Sequence, residues 1–116
     1  MRDENMEKEL QGKINQLSMM EQNLQNFALQ KQQFQAQLME LESAEKELQG
    51  SKESFKIIGN IMVAKPHDEL VKDLGEKKEI ILKRIESFER QEAKIKEKAD
   101  ALQKEVLEEM NKKESA

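Results

Sequence analysis

The chain has 116 residues, of which 38% are charged and 36% hydrophobic, with four aromatic residues that are all Phe, no cysteine and a net charge of −4. That leaves too little apolar material for a thick globular core and excludes a disulfide framework or a cysteine metal site. No apolar run reaches the roughly 18 residues of a membrane span, and no basic stripe exists to follow a phosphate backbone, so neither membrane nor nucleic acid is expected as a partner.

Residues 1–50 hold five basic and nine acidic side chains, whereas 51–116 hold fifteen of each. The N-terminus, Met1-Arg2-Asp3-Glu4, carries no apolar leader core. A soluble cytoplasmic protein is expected, built as a single domain over 1–116.

The first element is a helix over about residues 3–49. Its apolar residues recur at Leu10, Ile14, Leu17, Met20, Leu24, Phe27, Phe34, Leu38, Leu41 and Leu48, with Lys31 and Glu45 at two positions of the same stripe. From Leu17 onward the spacing alternates three and four, which is the narrow stripe of a coiled-coil seam. Nine glutamines between Gln11 and Gln37 lie mostly off the stripe, where they favour helix and stay solvated. Gly50 is expected to end the helix as a residue in the left-handed region.

A β-hairpin is predicted over 54–65. Phe55-Lys56-Ile57-Ile58 and Ile61-Met62-Val63-Ala64 are two short β-branched-rich runs joined by Gly59-Asn60, residues that tolerate the positive φ of a primed two-residue turn. That turn sets Ile58 opposite Ile61 and Phe55 opposite Ala64. Phe55, Ile57, Met62 and Ala64 then share one face; Ile58, Ile61 and Val63 share the other, with Lys56 near its edge. An isolated two-stranded hairpin is marginal in water and has two open edges, so this one calls for a partner.

The second helix is predicted over about 67–112, with Pro66 at its start and Asp68 and Glu69 suited to its N-terminal dipole. Its stripe is Val71, Leu74, Lys78, Ile81, Ile85, Phe88, Glu92, Ile95, Ala99, Leu102, Val106 and Glu109. Residues from about Asn111 are polar and are expected to fray. Gly12 and Gly75 fall inside the helical patterns, each at a cost of about 1 kcal/mol relative to Ala.

Two helices of similar length joined by a hairpin should fold back as an antiparallel coiled coil. If residue i meets residue 119 − i, Leu17 faces Leu102, Leu24 faces Ile95, Phe34 faces Ile85, Leu38 faces Ile81 and Leu48 faces Val71. In this register Lys31 lies one turn from Glu92, and Glu45 one turn from Lys78. Such pairs add little stability but penalise slipped registers. At about 1.5 Å per residue, arms of about 45 residues would run to about 70 Å.

Candidate chemistry is sparse. His67, the only histidine, has no second histidine or cysteine to share a metal, and its neighbours favour a surface residue at a helix start. Carboxylate pairs such as Glu108-Glu109 are read as solvated helix face. With no phosphate-binding glycine motif and no nucleophile motif, a non-enzyme without cofactor is expected.

Apolar residues off the seam carry more information. Met1, Met6, Met19, Leu29, Met39, Ile80 and Leu107 fall outside the stripes, and Met6, Met19, Met20, Leu107 and Met110, with Met1, gather toward the end where both termini meet. They read in two ways: as a frayed tip with incidental methionines, or as an adaptable surface for weak binding of many apolar sequences, since the thioether repacks easily.

The residues resemble those of the prefoldin β-class subunits over nearly the whole chain. The likeness is densest in Phe55-Lys56-Ile57-Ile58-Gly59-Asn60-Ile61-Met62-Val63, in Asp68-Glu69-Leu70 and in Glu89-Arg90-Gln91-Glu92. It implies a mainly α fold with one hairpin between the helices, the hairpin joining an oligomeric β-barrel hub of two α-type and four β-type subunits. It further implies ATP-independent capture of unfolded polypeptides at the distal tips and delivery to a group II chaperonin. The reading from another class is a structural coiled-coil spacer, which would need only a polar turn where this chain places nine mostly apolar residues.

Overall fold

The computed structural model describes residues 4–115. Its elements are α1 (Glu4–Gln49), β1 (Phe55–Ile58), β2 (Ile61–Ala64) and α2 (His67–Ser115). The fold is mainly α, with two long helices of 46 and 49 residues and a two-stranded antiparallel sheet between them. Acidic residues stand at both helix starts, Glu4 and Glu7 in α1 and Asp68 and Glu69 in α2, where they complement the positive end of the dipole. α2 runs to Ser115, beyond the expected end near residue 112, and the tail Lys-Lys-Glu holds good helix formers and no breaker.

The chain divides into two compact units. The hairpin unit, Lys31–Ser87, holds the end of α1, both strands and the start of α2. The terminal unit joins the described parts of Met1–Gln30 and Phe88–Ala116.

In each unit the helices run antiparallel and meet along the predicted stripes. In the terminal unit Leu10, Leu17, Met20, Leu24 and Phe27 of α1 are half-buried, as are Ile95, Ala99 and Leu102 of α2, while Val106 and Glu92 are buried. Phe27 and Phe88 stack with centroids 5.7 Å apart and planes tilted 50°. Lys13 reaches across to Glu109 and, at 3.5 Å, to Glu105. In the hairpin unit Phe34, Leu38, Leu41 and Leu48 are half-buried against Leu74 and Ile81, with Ile85 and Leu70 buried. Arg84 lies 5.5 Å over the Phe34 ring, and Lys78 is 3.6 Å from Glu45, as the register required. The cross-helix pairs 13–109, 27–88 and 45–78 all fall within about one helical turn of the 119 − i rule. A two-helix seam covers each side chain from one side only, so half-burial is its normal state and each Leu or Ile contributes about 1 kcal/mol rather than the full burial value.

The structure corrects the stripes at two places. At the start of α2, Leu70 is buried at 9% exposure and Val71 is 43% exposed, so Leu48 does not meet Val71. His67, Leu70 and Leu74 make the inner face of the first turns because His67 is fastened to α1, as described below; two adjacent apolar residues left the phase of that turn open in the sequence. In α1, Lys13 takes the half-buried position and Ile14 is 39% exposed. The Lys13 stem covers the seam while its ammonium gains two carboxylates, which an isoleucine there could not use.

The third correction concerns Gly50. The only glycine with a positive φ is Gly59, so α1 does not end in a left-handed glycine cap. It closes with a Ser51 N–H to Leu48 carbonyl bond of 3.3 Å, a tightened last turn.

Candidate functional site

The hairpin follows from its residues. Gly59 has φ 60° and Asn60 does not enter the positive region, the pattern of a turn whose first central residue alone is left-handed. The register is Phe55 with Ala64, Lys56 with Val63, Ile57 with Met62 and Ile58 with Ile61, as the turn dictated. A bond of 2.9 Å from Lys65 N–H to the Ser54 carbonyl extends the ladder by a rung toward the helices.

Both faces of this sheet are apolar and open. Phe55, Ile57 and Met62 on one face and Ile58 and Ile61 on the other are all more than half exposed, Ile57 at 69% and Ile61 at 66%. Only Lys56 and Val63, a cross-strand pair, are half-buried. The Lys56 ammonium lies 3.9 Å from Asp73 of α2, and Lys65 lies 3.9 Å from Glu69, so two lysines tie the root of the hairpin to the first turns of α2. Beneath the sheet is a groove of about 510 Å³ with Ala44, Leu48, Leu70 and Leu74 below and Phe55 and Ile57 on its wall. Ser54, buried at its edge, has a hydroxyl without a hydrogen-bond partner.

Five of the eight strand residues expose large apolar side chains, divided between the two faces, and the two strands pair only with each other, so the outer backbone groups of β1 and β2 face no third strand among the described residues. Exposed apolar faces and open edges of this kind on small proteins mark interaction surfaces.

The second candidate surface lies in the terminal unit. Met6, Met19 and Leu107 are more than half exposed, with Met19 at 64%, and Met110 is 44% exposed. Met20 is half-buried in the seam and offers less surface than its four companions. Met1 lies outside the described residues. The clasp of Lys13 with Glu109 and Glu105 sits among these residues and was not read from the sequence. A hydrogen bond from Lys13 to Glu109 raises the lysine pKa above its ordinary 10.5; partial burial opposes the rise, and the charges of Glu109 and Glu105 add to it. Ile14, Val71 and Leu82 are also exposed apolar residues, which a stripe reading alone had hidden or left unassigned.

His67 was the other miss. Its ring is half-buried, with Nε2 2.7 Å from the Leu48 carbonyl and Nδ1 3.5 Å from Asp68. The signal that could have found it is position, since a histidine at the first residue of a returning helix stands opposite the end of the helix that departed. Among the described residues no cluster of histidine and carboxylates has the geometry of a metal site, and no helix is long and apolar enough to cross a membrane.

The geometry can be set beside known proteins. Residues 11–113 match the prefoldin subunit family. The chain is 32% identical over 106 residues to the prefoldin subunit beta of Pyrobaculum aerophilum, covering 89% of this chain and 84% of the relative. It is 36% identical over 93 residues to that of Archaeoglobus fulgidus, covering 78% and 80%. The crystal structure of the prefoldin beta subunit from Thermococcus strain KS-1 superposes with a TM-score of 0.80 at 32% identity, over 84% of this chain and 89% of the other.

Proposed function

The chain belongs to the prefoldin subunit family, in its β class, and from that premise we propose how this prefoldin co-chaperone subunit divides its work between hairpin and chain ends. The hairpin joins those of other subunits in a β-barrel hub of two α-type and four β-type chains. The ends of the two helices hold non-native polypeptides in the cytoplasm without ATP or any other cofactor, and the loaded assembly passes them to a group II chaperonin.

The observation that carries this reading is the sheet with five exposed apolar side chains on two faces and two open edges. Closure into a barrel with strands of other chains removes both edges and buries the face turned inward, which no packing within this chain achieves. Support for the binding role is the set of exposed off-seam residues Met6, Met19, Leu107 and Met110. Single methionines repack around unlike sequences, and several subunits holding one client sum weak contacts through effective concentration. No residue is given a catalytic role.

The test is co-expression with an α-type chain, followed by native mass measurement and a light-scattering assay with a denatured protein. The full chain is expected to form the hexamer and suppress aggregation. Removal of about the first 20 and last 15 residues should leave the assembly mass reduced only by the deleted residues, yet abolish suppression. A truncated assembly that protects as well as the full one places client binding elsewhere.

A further inference from the structure

The way α1 ends and α2 begins carries an inference beyond this division of labour. The last carbonyls of a helix have no partner within it, and a left-handed glycine usually supplies one. Here Gly50 does not adopt that conformation, although it is the only glycine at that end. The Leu48 carbonyl instead receives two donors, the Ser51 N–H at 3.3 Å and the His67 Nε2 at 2.7 Å.

A carbonyl only accepts, so the imidazole is held with a proton on Nε2. The ring is placed by its backbone. Pro66 accepts the first bond of α2, from Leu70 N–H at 3.2 Å, which makes His67 the first helical residue. Nδ1 faces the carboxylate of Asp68 at 3.5 Å. The bond spans residues 48 and 67, and between them lies the entire hairpin.

We propose that His67 is a positioning residue, a brace from the start of α2 to the end of α1 that fixes the angle at which the hairpin leaves the helix pair. Four links then hold the sheet. Lys56 meets Asp73, Lys65 meets Glu69, the Lys65–Ser54 rung extends the ladder at its root, and His67 closes the two helix ends against each other. With the root fastened, Phe55 and Ile57 stay in the orientation in which they line the groove above Leu48 and Leu70. A subunit whose hairpin is already oriented pays less ordering entropy on joining others. The gain for assembly rests on the hub reading; the brace itself does not.

The experiment uses the whole chain, whose single histidine gives an unambiguous signal. Long-range proton–nitrogen spectra are expected to show a proton held on Nε2; a bare Nε2 or an averaged pair of nitrogens overturns the brace. Hydrogen exchange of the amides from Ser54 to Ala64 is then compared in His67→Phe and His67→Gln. The Phe ring fills the site without a donor and should speed exchange about tenfold, the size of one net hydrogen bond. Gln retains an N–H donor and should restore most of the protection. No change with Phe, or equal acceleration in both variants, overturns the brace. Assembly with the α-type chain should weaken with Phe and recover with Gln. If exchange follows this pattern while assembly does not, the brace stands and the hub reading falls.

Discussion

The hairpin unit and the terminal unit both expose apolar side chains, but on different scaffolds. In the hairpin unit Phe55, Ile57, Ile58, Ile61 and Met62 stand on a pleated backbone whose edges are open, so any partner must satisfy hydrogen-bond register as well as cover apolar area. In the terminal unit Met6, Met19, Leu107 and Met110 stand singly among charged residues on helices whose backbone bonds are already made, so a partner meets side chains alone. Directional backbone groups select a geometry; flexible thioethers tolerate many. On the proposed reading, one chain thus carries a selective surface and a permissive one.

The largest expected effect breaks the comparison at its selective side. Replacing Ile57 and Ile61 together by Lys puts two charges into opposite faces of the sheet and should leave a soluble helical monomer. Both side chains are about two-thirds exposed and neither is a seam residue. Sedimentation and circular dichroism check this; retention of the parent's assembly mass sinks the hub assignment.

Next comes the permissive side. Changing Met6, Met19, Leu107 and Met110 together to Ser should lower aggregation suppression several-fold while assembly mass holds and the melting temperature moves by no more than a few degrees, because all four side chains are exposed. A fall in helical content equal to the fall in suppression would mean that these residues serve stability instead.

A control that should ignore the comparison uses Gly12 and Gly75, one in each unit, each with open space where a Cβ would stand. Gly12→Ala and Gly75→Ala should each stabilise by up to about 1 kcal/mol, read from denaturant unfolding, without changing assembly or suppression. Loss of suppression in Gly12→Ala alone would assign that glycine a role in binding.

The smallest effect concerns the polar clasp of the terminal unit. The folded-state pKa of Lys13 is raised, so its contribution is present in full below the unfolded value of 10.5 and is lost as pH rises through the folded value. The stability gap between the parent and Lys13→Met should therefore be constant near neutrality and narrow above pH 10.5. A gap that widens there would give the clasp the opposite sign. Glu45 and Lys78 offer the matching pair in the hairpin unit, where a double-mutant cycle should return about 0.2–1 kcal/mol, as half-exposed pairs do.

Much of this architecture was legible because it depends on period and turn chemistry. The alternation of three and four from Leu17 to Leu48 defined the inner stripe, and Gly59-Asn60 between two β-branched runs defined both hairpin and register. The failures sit where a stripe meets an end. Val71 and Leu70 are equally apolar, so the spacing could not say which one faces α1. Ile14 outranks Lys13 on any hydropathy scale, yet the lysine faces inward because Glu105 and Glu109 wait on the other helix. Gly50 looked like a left-handed cap because nothing nearby in sequence revealed another donor.

By itself the sequence determined the helices, the hairpin and its turn, and which residues the seam would leave outside, since each of these is set by neighbours within a few positions along the chain. Only the tertiary structure decided the capping of α1 by His67, the phase of the first turn of α2 and the seating of Lys13. In each case the deciding partner lies 19 or more residues away, at a distance no local pattern encodes, and the energy of one hydrogen bond or ion pair settles a choice that hydropathy leaves balanced.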